Sequence, residues 1–178
     1  MLTRNEEQRL PRALASLPAG SPVLVIDAES TDATVALARA HGAHTFVRPW
    51  EGFVTARRFA LAQVQTPWTF MLDADEALDA RLCEGLVRLK PQDDGYLVQR
   101  ETFLCGRPIR GAGWGGEMLL RLFCTERASL TTRPAAGGDA DLHERWQVAG
   151  DVGRLEGSLL HDSYPTLRSY GEKLARYT

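Results

Sequence analysis

The chain has 178 residues but only two lysines, Lys90 and Lys173, and three cysteines, Cys83, Cys105 and Cys124. An odd cysteine count without C-x-x-C spacing argues against a disulfide framework or a zinc knuckle and leaves reduced thiols as the expectation. Charge of one sign is lacking too. The 21 basic and 23 acidic residues give a formal net charge of −2, so the chain offers no blanket attraction to nucleic acid or to an anionic membrane, and any anionic ligand must meet a local cluster. Nineteen of the basic residues are arginine, which suits bidentate phosphate contacts but is too widespread to mark a site. No apolar run approaches the ~20 residues of a membrane span, and the N-terminal "MLTRNEEQRL" lacks the apolar core of a signal peptide. A soluble cytoplasmic protein is expected, at most peripheral to the inner face of the plasma membrane.

What is present fits one globular domain over residues 1–178, at 44% hydrophobic and 25% charged residues. "SPVLVIDAESTDATVALARAHGA" reads as a strand at Val23 to Ile26, a polar loop, and a helix from about Asp32 to His41. "HTFVRP" reads as a short strand, "FVTARRFALAQV" as an amphipathic helix, and "WTFMLDADE" as a buried strand ending at acids. Continuous apolar strands alternating with helices predict an α/β fold with a mostly parallel sheet and helices on both faces. After the helix "DARLCEGLVRL", "GYLVQRETFLCGRPIRGAGW" and "EMLLRLFCTERASL" read as hairpin strands and "TRPAAGGDAD" as a mobile loop. "PTLRSYGEKLARYT" reads as a final amphipathic helix with Leu167, Tyr170, Leu174 and Tyr177 on one face.

Ligands of parallel sheets gather at the carboxyl ends of the strands, where Asp27 and the trio Asp73, Asp75 and Glu76 both fall, so the two acid sites are expected to be neighbours. On a strand, residues i and i+2 point the same way, which would put Asp73 and Asp75 on one face. Two carboxylates so placed repel unless a cation is near, and Mg²⁺ or Mn²⁺ suits such a pair when phosphates and water complete its shell. The plainer reading is a solvated strand end followed by an acidic helix start, with Glu76 and Asp79 complementing the helix dipole.

The ordered set "TRNEE", "VIDAESTD" and "LDADE" resembles the family-2 glycosyltransferases of GT-A fold. "RPWEGF", "RGAGW", "LLRLF", "LHERW" and "LLHDSYPTLRSYGEKLARYT" resemble the bacterial subgroup that includes lipopolysaccharide-core glucosyltransferases. The resemblance implies a Rossmann-like nucleotide-sugar-binding half over residues 1–90 and a hairpin-rich acceptor-side half over 91–178. It implies a nucleoside-diphosphate-sugar donor, with a UDP-sugar favoured. Asp27 would read the base, Asn5 and Glu6 would lie beside the nucleoside, and Asp73 would lie near the ribose and metal. Asp75 would ligate Mn²⁺ or Mg²⁺, and Arg57 would contact the diphosphate unless it only solvates a helix face with Arg58. His161 matches a C-terminal histidine that ligates metal in some GT-A enzymes; alone it reads as structural. The general base would be Glu117 or Glu144, with Glu117 favoured, and Trp114 would stack on an acceptor sugar or anchor packing. Glu76 would orient a metal-bound water or begin a helix.

The chain departs from the family in having only Leu2 and Thr3 before Arg4 where a complete apolar strand is usual, in its early end at Thr178, in Arg58, and in Ala28-Glu29 after Asp27. Truncation at the N-terminus, and at the C-terminus, is the expectation. The function expected is metal-dependent inverting transfer of a hexose, UDP-glucose leading, to a cell-envelope glycan or lipid-linked acceptor such as lipopolysaccharide core. Peripheral membrane contact and a homodimer through exposed edges are compatible with it. The alternatives are a nucleotidyltransferase or phosphohydrolase using the same acids, and a nucleotide-sugar-binding module without turnover.

Overall fold

The computed structural model describes residues 1–109, 115–133 and 143–164. Its first sheet is three-stranded and parallel, in the order β1 (Leu2–Thr3), β2 (Leu24–Asp27), β3 (His44–Val47). Thr3 lies opposite Asp27, and Asp27 opposite Val47. A parallel neighbour requires a crossover; here α1 (Leu10–Ala15) lies between β1 and β2, and α2 (Thr34–Ala40) between β2 and β3. Leu10, Leu14, Val25, Ala38 and Ala43 form the core of this half together with Ala74.

After α3 (Phe53–Gln63) the chain builds a second, six-stranded sheet. In chain order its strands are β4 (Trp68–Phe70), β5 (Glu76–Leu78), β6 (Gly95–Leu104), β7 (Arg107–Pro108), β8 (Gly115–Cys124) and, beyond a separate hairpin, β11 (Val152–Tyr164). The spatial order is β4-β8-β6-β11-β5, with β7 on β6. The separate hairpin pairs β9 (Ala128–Arg133) with β10 (His143–Val148). A mostly parallel sheet therefore describes the first half only. Among the described residues of the second sheet β6 and β11 alone run parallel, while β4–β8, β6–β8, β6–β7 and β5–β11 are antiparallel. The segment 105–114 joining β6 to β8 is too short for a helical crossover.

Among the described residues the helices and hairpin strands expected from the sequence are present, including α4 (Ala80–Arg88). The segments 134–142 and 165–178, which hold most of the expected loop and the whole expected last helix, lie outside the described residues. All three cysteines are free thiols, as expected. Among the described residues no helix is long and apolar enough to cross a membrane.

No strand pair joins the two sheets among the described residues. Between them lies a mainly apolar cavity of about 650 Å³, bordered by Val23 and Leu24 on the side of β2 and by Trp68, Thr69 and Phe70 of β4. The Met1 amino group donates to the Leu24 carbonyl at 2.8 Å at its edge.

Helix α4 is joined to β11 by the exposed Arg81–Glu156 pair and, at its N-terminus, by the side chain of Asp79. Asp79 Oδ1 accepts from the Leu82 amide at 2.7 Å, capping the helix, and Oδ2 accepts from the Ser158 amide at 2.9 Å. Gly157, at φ +92°, permits this approach, because a Cβ there would stand 2.3 Å from the Leu82 nitrogen. Asp79→Ala is expected to lower unfolding stability by ~1–3 kcal/mol, one helix cap plus one orphaned amide. An unchanged urea midpoint would show that the fastening contributes nothing.

Candidate functional site

Asp73 and Asp75 of "LDADE" do not sit on a strand, contrary to expectation. β4 ends at Phe70, residues 71–73 are irregular, Ala74 and Asp75 form a turn closed by the Glu76 amide on the Asp73 carbonyl at 3.1 Å, and β5 begins at Glu76. Burial of Ala74 against Leu10, Leu14 and Val25 ties the turn to the first core, so the i, i+2 rule for extended backbone does not apply. Glu76 neither starts a helix nor meets solvent: it is 1% exposed in β5.

Each acid meets a different partner. Asp73 lies between two guanidinium groups, Arg57 Nη2 at 3.5 Å from Oδ1 and Arg121 Nη2 at 3.2 Å from Oδ2. Burial works to raise the Asp73 carboxyl, but Arg121 and Arg57 outweigh it and hold it at about 2. Glu76 Oε1 accepts from the same Arg121 Nη2 at 2.6 Å, with Arg100 Nη1 at 3.7 Å. Its Oε2 takes the Asp73 amide at 3.2 Å. Desolvation nevertheless raises the Glu76 carboxyl, against the pull of Arg121. Asp75 Oδ2 faces His161 Nε2 at 3.2 Å, and its carbonyl accepts the Asp162 amide at 3.0 Å. Burial raises the Asp75 carboxyl, but the hydrogen bond and charge of His161 prevail and lower it. His161 in turn has Nδ1 at 3.4 Å from the Thr102 hydroxyl on β6.

In the first half, two loops are knitted together. Asn5 Oδ1 accepts the Thr31 amide at 2.9 Å, the Asn5 amide donates to Ser30 Oγ at 2.8 Å, and the Glu6 amide donates to Thr34 Oγ1 at 2.7 Å. Asp32 accepts the Thr34 amide at 2.9 Å and the Glu7 amide at 3.2 Å. Asp27 is fully buried. Its carboxylate accepts from Thr3 Oγ1 at 2.7 Å, the Ser30 amide at 2.8 Å and Ser30 Oγ at 2.6 Å, so it shapes the loop rather than presenting a free carboxylate. Asn5 and Glu29 both take left-handed backbone, φ +54° and +53°. The Glu6 carboxylate binds Arg9 at 2.7 Å; burial raises its carboxyl above the usual value, Arg9 opposes this, and both Asp75 and Asp32 add to the rise. Glu6 thus lies within electrostatic reach of Asp75 and of Asp32 in the loop that follows Asp27.

The donor chemistry fits a hard or borderline divalent cation only in part. Asp75 and His161 offer one oxygen and one nitrogen, Asp73 is already held by two arginines, and no three His, Cys, Asp or Glu residues enclose an ion among the described residues. An ion here would complete its shell with water and phosphate oxygens, as Mg²⁺ and Mn²⁺ do. Arg57 also directs Nη1 at Met71 Sδ, 2.8 Å away. Glu117 on β8 is half-exposed and paired with Arg100 across the β6–β8 ladder. Glu144 stands on β10 opposite Thr132, its side chain outside the described residues, as is Trp114 altogether. Arg121 and Arg100 were given no role by sequence reasoning. The signal for Arg121 was a charge inside the apolar run "LLRLF".

Residues 1–137 match the model of Glycosyl transferase family 2. The lipopolysaccharide core biosynthesis glycosyltransferase LpsC of Rhizobium meliloti (strain 1021) is 34% identical over 170 residues, covering 88% of this chain and 59% of LpsC. The uncharacterized glycosyltransferase Rv0539 of Mycobacterium tuberculosis (strain ATCC 25618 / H37Rv) is 36% identical over 110 residues, covering 62% and 48%. The chain therefore spans less than two thirds of the length of these relatives. Among solved structures, S. aureus TarS superposes with a TM-score of 0.48 at 16% identity, over 70% of this chain and 27% of TarS. The mixed α/β architecture agrees with the GT-A class expected of the matched family. With residues 1–137 matched, the chain belongs to glycosyl transferase family 2.

Proposed function

We propose that this domain transfers a hexose, with inversion, from a nucleoside-diphosphate sugar to a cell-envelope glycan, and that UDP-glucose and lipopolysaccharide core are the leading donor and acceptor. The observation that carries the reading is the pairing of Asp75 with His161 at 3.2 Å beside an arginine-held Asp73. The similarity to LpsC supports the acceptor class.

In this reading Asp75 and His161 hold Mn²⁺ or Mg²⁺, with Asp73 beside them. The ion would supply Lewis-acid neutralisation of the leaving diphosphate. The Thr102 hydroxyl orients the His161 ring, as outer groups commonly do for ligating imidazoles. Asn5, Glu6 and the loop shaped by Asp27 line the nucleoside side, and Arg57 divides its charge between Asp73 and the diphosphate. Glu117, held by Arg100, takes the acceptor proton as general base; Glu144 is the other candidate, and Trp114 stacks on the acceptor sugar.

Calorimetric titration of UDP in Mn²⁺ is expected to show binding by the native chain and none by Asp75→Ala; binding that ignores Mn²⁺ or the substitution would overturn the metal role. Glu117→Gln is expected to lower kcat by roughly 10²–10⁴-fold, the usual worth of a general base, with UDP affinity kept; unchanged turnover would move the base elsewhere.

A further inference from the structure

Six charged side chains of alternating sign run from α3 across the second sheet: Arg57, Asp73, Arg121, Glu76, Arg100 and Glu117. Arg121 stands near the middle of the series. It lies on β8 between Leu120 and Leu122, is 2% exposed, and uses one nitrogen, Nη2, for both Asp73 and Glu76. Its Nε and Nη1 are buried without a hydrogen-bond partner among the described residues. A buried guanidinium with two unspent donors is a poor way to stabilise an apolar strand, where a methionine of similar length would avoid the desolvation. Its main chain acts on the same turn, because the Arg121 carbonyl accepts the Met71 amide at 2.7 Å just before the acids.

We infer that Arg121 is the positioning residue of the acidic turn, clamping Asp73 through its side chain so that Asp75 is the carboxylate left facing His161 and a metal-bound diphosphate. The inference rests on the donor reading above and goes beyond it in assigning the turn's geometry to a residue that does not itself touch metal or sugar. Arg121 fixes one end of the turn through Asp73, and the base of the turn through Glu76.

A purely structural role would be to neutralise Glu76, and the test separates that role from positioning. UDP is titrated in Mn²⁺ into the native chain, Arg121→Met, Arg121→Lys and the double variant Arg121→Met with Glu76→Gln, and thermal midpoints are recorded for each. The single methionine variant is expected to lose thermal stability, since Glu76 becomes a buried charge without its closest partner. The double variant is expected to recover the midpoint yet bind UDP with Mn²⁺ roughly tenfold to hundredfold more weakly, the worth of a lost charged hydrogen bond. The lysine variant keeps the charge but not the fork, and is expected to fold and to bind more weakly as well. Native-like affinity in a folded double variant or in the lysine variant would overturn the inference. Failure of the native chain to bind UDP with Mn²⁺ would overturn the donor reading and this inference together.

Discussion

Three carboxylates within four residues cannot be left to repel one another, and the structure depends on how Asp73, Asp75 and Glu76 are kept apart chemically. Arg121 is shared by two of them, Arg57 and Arg100 support its two sides, and His161 takes the third. The groups come from α3, β6, β8 and β11, so the turn is complete only when the second sheet has assembled around it. Breaking one side of such a buried set leaves an uncompensated charge, which costs far more than the intact pair contributes. The acidic turn and the second sheet are in this sense one unit.

The fold of the first half was legible because its strands are continuous apolar runs separated by amphipathic helices. β2, α2, β3 and α3 stand within a residue or two of where the pattern placed them. The second half was less so. β11 was not read because Gly153 and Gly157 interrupt its alternation, and the latter admits the α4 cap that only tertiary contact reveals. The strand rule failed at Asp73 and Asp75 because burial of Ala74 between them turned the backbone. Family resemblance drew attention to these acids, but the local pattern carried no information on which arginine each would meet.

Asp27 illustrates a second limit. Its position at the carboxyl end of β2 suggested direct ligand contact, whereas its three hydrogen bonds go to Thr3 and Ser30. A residue at a binding loop can act by holding the loop's backbone, and Asn5, Asp32 and Glu7 do the same across the two facing segments. These two facing segments are thus organised by their own hydrogen bonds, which under the proposed function reduces the ordering cost of binding.

The most direct measurement is anomalous diffraction at the manganese edge from crystals of the chain grown with UDP and Mn²⁺. The expected result is a single peak within coordination distance of Asp75 and His161, with diphosphate oxygens completing the shell and Asp73 still clamped by Arg121. A peak elsewhere, or UDP seated without manganese at the turn, would contradict the central claim that these acids gather to hold a metal against a diphosphate.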